Sequence, residues 1–310
     1  LPGTVLAVGF NAMFAAAVPP EWRSHVTGRR NALLAITYMV ATVICGYLLD
    51  LLPFPLGYQV VFAIGLFGGM MSSLHLWFIR PLQTVPYQNG QALGDIARPG
   101  MVRPAGDSYG AGPGLRFLTR ARLHTIIRPQ VLTGPFGPIV GLLFLFHLAQ
   151  YLAIPIFPLY WVNTLDLTDT EISLGNAVFY ATVLIGSTQL TRVTQRYHHK
   201  GVLVLGMITM SLYPALTAVT QNLTLFLITS AIGGLSWSLA GGAIANYMLE
   251  RIPDGERPSH LAWYNLALNA AILIGSMLGP VFADRIGLAA ALAVAAVCRF
   301  GAALALRRWG

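Results

Sequence analysis

The chain has 310 residues, of which 55% are hydrophobic and only 10% charged, with a net charge of +8; a soluble domain carries about 25% charged residues. A water-soluble globule built from it would leave much of its surface apolar. The composition therefore excludes a soluble enzyme, a disordered chain and a disulfide scaffold, and points to a polytopic membrane protein. Cys45 and Cys298 each lie inside an apolar run and read as small buried hydrophobes, not as a disulfide or metal pair.

A helix needs about 20 apolar residues to cross the hydrocarbon core. Such runs occur at residues 1–19, 31–52, 57–79, 136–162, 172–195, 201–219, 224–248, 260–283 and 287–306. The first begins at Leu1 with no basic stretch before it, so it reads as a truncated start and not as a signal peptide. All 11 acidic residues fall in loops or at span ends. Segment 80–135, rich in Gly and Pro, is an irregular linker. Its last part, Leu115 to Arg128, mixes Leu, Phe and Ile with Arg at near-helical spacing, as an amphipathic helix on the inner leaflet would.

The basic residues alternate by side. Arg23, Arg29 and Arg30, the seven arginines of 80–135, the group Arg192, Arg196 and Lys200, the pair Arg251 and Arg257, and the terminal Arg299, Arg307 and Arg308 all fall on one side; Arg285 stands alone on the other. Eighteen against one is a strong positive-inside asymmetry. It makes the basic side cytoplasmic, with the C-terminus there and Leu1 outside. The expected location is the cell membrane, plasma or inner. Helix orientation and contact with anionic membrane lipid account for the charge, and no nucleic-acid partner is needed.

An internal repeat relates residues 18–34 to 252–268 at an offset of 234, pairing Pro19 with Pro253, Arg23 with Arg257, Asn31 with Asn265 and Leu34 with Leu268; further on, Asp50 pairs with Asp284. Both copies are loops leading into a span followed by one more. Spans one to three thus match spans seven to nine, and the counterpart of spans four to six would lie upstream of Leu1. With the long basic linker, and with Gly186 to Lys200 (GSTQLTRVTQRYHHK), this pattern resembles the major facilitator superfamily over that family's fourth to twelfth helices. The family signature runs Gly…Asp-Arg-x-Gly-Arg-Arg. Here Gln195 stands for the Asp, Arg196 for the Arg, and His198 and His199 for Gly and Arg.

The resemblance implies an all-α integral membrane bundle with nine of a probable twelve helices visible. Residues 1–79 would finish the N-terminal half, 80–135 the linker, and 136–310 the C-terminal half. It also implies a solute site near the midplane between parallel halves.

Polar side chains at mid-height of a span must face protein or water. Those at candidate cavity positions are Asn11, Tyr38, Thr42, His147, Gln150, Tyr180, Trp237, Asn265 and Asn269. Each has a plainer reading as a helix-bridging hydrogen bond or packing residue. Arg23, Arg257 and Arg196 are candidate gating residues, with topology charge as the plainer role. His147 is the only histidine at mid-height in an expected cavity helix; it reads first as a neutral hydrogen-bonding group and second as a proton relay. Small residues at Gly234/Ser238/Gly242, Gly65/Gly69 and Gly275/Gly279 mark close helix contacts.

No phosphate loop, dinucleotide fingerprint, HExxH or paired-Cys motif occurs. No catalytic residue, metal or cofactor is expected, with a coupling proton or sodium ion left open. The expected protein is a monomeric secondary active transporter of a small organic solute, working by alternating access. The alternatives are a membrane-embedded enzyme or lipid-handling protein, which would need a polar cluster such as His198 and His199 with an acid, and a transporter-like sensor without flux.

Overall fold

The computed structural model describes residues 20–78, 128–252 and 257–310, and every element among them is helical. In chain order these are α1 (Pro20–Leu51), α2 (Leu56–Phe78), α3 (Gln130–Thr133), α4 (Phe136–Ala153), α5 (Ile156–Asn163), α6 (Asp169–Val219), α7 (Leu223–Arg251), α8 (Arg257–Ile286) and α9 (Leu288–Trp309). Span 1–19, most of the linker and its amphipathic helix lie outside the described residues. The other eight runs are all helical.

Two runs differ in detail. Run 136–162 is two helices, because Pro155 and Pro158 remove backbone donors; Pro155 becomes the N-cap of α5. Runs 172–195 and 201–219 are two arms of α6, joined at His198, whose φ of 56° and ψ of 167° are not helical. Seven described segments are long and apolar enough to cross a membrane. The first arm of α6 is not among them: Ser173, Asn176, Ser187, Thr188 and Gln189 make it more polar than the rest.

Packing divides the chain into two units. Among described residues, the smaller holds most of α2, with Gly65 and Gly69 meeting no neighbour. The larger comprises residues 34–57 and 126–310. Its core has two apolar clusters. One joins α4 (Leu143, Phe146), the second arm of α6 (Leu203, Met207), α7 (Tyr247) and α9 (Leu306). The other joins α5 (Ile156, Trp161), α7 (Phe226) and α9 (Leu292, Ala295).

Small residues set the closest approaches, as a membrane bundle without a hydrophobic driving force between helices requires. A Cβ on Gly234 would come within 2.1 Å of the Phe179 carbonyl oxygen, and one on Gly242 within 2.4 Å of Leu190. The ridge on α7 therefore seats against the first arm of α6. Gly275 and Gly279 press α8 onto the α4 backbone at Leu148 and Leu152. The cysteines are free; Cys45 is half-buried and Cys298 exposed, so the expectation that both are buried fails where the outer face of α9 needs no burial to hold an apolar side chain.

Candidate functional site

The start of α6 is built around a carboxylate from another helix. Thr168 and Glu171 form a reciprocal capping box, in which the Thr168 hydroxyl accepts from the Glu171 N–H and Glu171 accepts from the Thr168 N–H. The two intervening N–H groups, of Asp169 and Thr170, donate to the Asp50 carboxylate at 3.1 and 2.9 Å. Asp50, singled out as the repeat partner of Asp284, thus ties the end of α1 to the positive end of α6. Partial burial of Asp169, and to a lesser degree the Asp50 charge beside it, raise the Asp169 carboxyl above its ordinary value. Four residues before Asp50, Gly46 lets the helices touch: a Cβ there would fall 2.2 Å from the Ser173 hydroxyl oxygen.

Farther along the same contact, Tyr38 of α1 stacks on Tyr180 of α6 with centroids 4.7 Å apart and planes 9° from parallel. These are two of the sequence candidates brought together. Thr42 lies one turn on, its hydroxyl donating to the Tyr38 carbonyl at 2.7 Å.

A second group forms between α4 and α8. His147, 4% exposed, sits with its Nε2 3.0 Å from the Tyr264 hydroxyl. Gln150 is one turn on, also buried. His147 Nδ1 and Gln150 Oε1 find no hydrogen-bond partner among the described residues. Asn265 and Asn269 share a face of α8, and their amides donate to the carbonyls of Leu261 (2.9 Å) and Asn265 (2.7 Å); those bonds stay within the helix. Trp237 is partly buried against the larger apolar cluster. The side chain of Arg196 is exposed, its guanidinium over the Tyr197 ring. Asn11 and the side chains of Arg23 and Arg257 lie outside the described residues.

Two residues escaped sequence reasoning. Tyr264 stands one position before Asn265 and was hidden near a span end. Arg299 counted as a terminal cytoplasmic charge, yet it is 1% exposed in the middle of α9. Its Nη1 donates to the Met210 carbonyl at 2.9 Å, and its guanidinium lies 5.9 Å from the Phe146 ring centroid. The reason is four residues from Met210. Pro214, inside α6, has no N–H to give that carbonyl, so the guanidinium of a neighbouring helix supplies the missing donor. Phe146 in turn meets His147 edge-on at 5.4 Å. Pro214 and Arg299 together were the available signal.

His199 Nε2 lies 3.6 Å from Glu250. This gives the enzyme alternative its acid beside a histidine, but no group of three metal-ligating side chains occurs among the described residues.

A family model described as Major Facilitator Superfamily matches residues 139–309, more than half of the chain. The chain belongs to the major facilitator superfamily. It is a multi-pass membrane protein of all-α fold, as the resemblance implied. Over 142 residues it is 22% identical to the quinolone resistance protein NorA of Staphylococcus aureus and 26% identical to multidrug resistance protein 1 of Bacillus subtilis. Each alignment covers 46% of this chain and 36% of the relative, so the chain spans little more than a third of the length of either.

Proposed function

We propose that the protein is a secondary active transporter that exports small, amphipathic organic solutes across the cell membrane by alternating access, with the C-terminus in the cytoplasm. Membership in a transporter family supports transport, and the names of the two relatives, which speak of quinolone and multidrug resistance, support an organic solute carried outward. The observation that carries the solute class is the Tyr38–Tyr180 stack. It offers apolar ring surface with phenolic hydroxyls and no full charge, which suits a largely neutral, flat solute. His147, Gln150 and Tyr264 add uncharged hydrogen-bonding groups for orientation. Asp50 on the α6 N-terminus and the Gly46–Ser173 approach act as the latch that parts when the transporter changes access.

The test is retention of a fluorescent quinolone by cells that lack their own drug exporters. Expression of the protein should lower retention, and Tyr38→Ala or Tyr180→Ala should restore it at equal membrane abundance. Unchanged retention with a folded, membrane-inserted protein would overturn the reading.

A further inference from the structure

A cavity of about 310 Å³ opens where α4 begins and α7 ends, lined by Arg128, Arg251 and His260 together with Val131, Pro135 and Phe136. That volume is at the lower end for small-molecule sites, roughly 300 Å³ upward. Two arginines and a histidine are among its lining residues, and none of the described lining residues is an acid. Two arginines at one half-enclosed space raise its positive potential and favour an anionic occupant.

The parts are held in place. The Trp263 indole N–H donates to the Arg128 carbonyl at 3.0 Å and fixes the chain at the rim. His260 is 5% exposed and meets Phe136 edge-on with centroids 4.9 Å apart. Arg251 lies in the last turn of α7, its guanidinium over the Tyr247 ring. The nearest acid in sequence, Glu250, is directed to His199. Val131, Pro135 and Phe136 give the cavity an apolar wall beside its cationic one, which is how a lipid presents itself: a phosphate joined to hydrocarbon.

We propose that this cavity binds the phosphate group of an anionic phospholipid from the leaflet that the charge asymmetry makes cytoplasmic. Arg128 and Arg251 clamp the phosphate oxygens with charge-assisted hydrogen bonds. Phe136 and Val131 receive the start of the acyl region. Basic pockets between membrane helices on that side commonly hold such head groups.

The experiment titrates the purified protein in neutral detergent with phosphatidylglycerol, phosphatidylcholine or inorganic phosphate at constant ionic strength. It follows the thermal midpoint and lipid retention by native mass spectrometry. Phosphatidylglycerol should raise the midpoint and stay bound, while the other two should not. Arg128→Gln/Arg251→Gln should weaken binding about tenfold for each arginine lost. Arg307→Gln/Arg308→Gln removes the same charge from exposed positions and should bind like the parent. Arg128→Lys/Arg251→Lys, which keeps the charge and guards against a folding defect, should retain part of the affinity. Equal losses in the pocket and surface variants, or none in the pocket variant, would overturn the site. Saturation by inorganic phosphate, with no further effect of lipid, would overturn the lipid assignment.

Discussion

The bond between Arg299 and the Met210 carbonyl can be tested as a repair of the gap left by Pro214. Arg299→Met has two opposing effects. It removes a buried guanidinium; replacing even a buried ion pair by apolar side chains is often neutral or stabilising by about 1–4 kcal/mol, and the loss of this lone buried charge acts in the same direction. It also strands the Met210 carbonyl, which costs about 1–3 kcal/mol. The single variant therefore has no decisive sign. Pro214→Ala returns an N–H to the carbonyl and removes the gap. In that background Arg299→Met strands nothing, so it should be more favourable by about 1–3 kcal/mol than in the parent. The assay is a double-mutant cycle of four proteins unfolded by increasing SDS in mixed micelles. Additivity within about 0.5 kcal/mol would refute the repair.

Other predictions follow from the same geometry. His198 has a backbone conformation suited to glycine, at the position where the family signature carries glycine, and its side chain is exposed. His198→Gly should relieve about 1–3 kcal/mol of strain against about 0.4–1 kcal/mol of added unfolded-state entropy. Its thermal midpoint should rise, and that of His198→Ala should not. His147→Ala and Tyr264→Phe each break the buried bond between α4 and α8; initial transport rates should fall in both, and full activity in His147→Ala would remove that residue from the site. Asp50→Asn weakens the two contacts to the α6 N-terminus. A cysteine pair placed on α1 and α6 should then crosslink less efficiently, with about 0.3–1 kcal/mol of charge–dipole attraction lost.

Element boundaries were legible where the physics is local. Membrane-length apolar runs and the prolines at 155 and 158 place helix ends by rules that involve a few neighbouring residues; the Thr168–Glu171 capping box is equally local, but the apolar run read there starts only at 172 while the helix starts at Asp169. The Gly234/Ser238/Gly242 and Gly275/Gly279 ridges marked close approaches as read, whereas Gly65/Gly69, of the same spacing, meet no neighbour among the described residues; spacing alone does not say which small-residue ridge is packed. Partners across the bundle were not readable. His147 and Tyr264 are 117 positions apart, and nothing in either span names the other. Arg299 misled because a charge count by loop assumes that cations sit at helix ends. A helix that carries its arginine inward, toward a carbonyl freed by proline, breaks that assumption. Asn265 and Asn269 each donate an amide N–H to a carbonyl of their own helix, a rotamer choice that sequence does not encode.

The central claim is that this chain's protein moves an amphipathic solute against its gradient. The direct measurement is uptake of a fluorescent quinolone by proteoliposomes holding the protein as encoded, under an imposed proton or sodium gradient. The account predicts accumulation that collapses when an ionophore dissipates the driving gradient, and that falls with Tyr38→Ala. Binding of the quinolone without flux, under either gradient, would contradict it and make the protein a sensor built on a transporter fold.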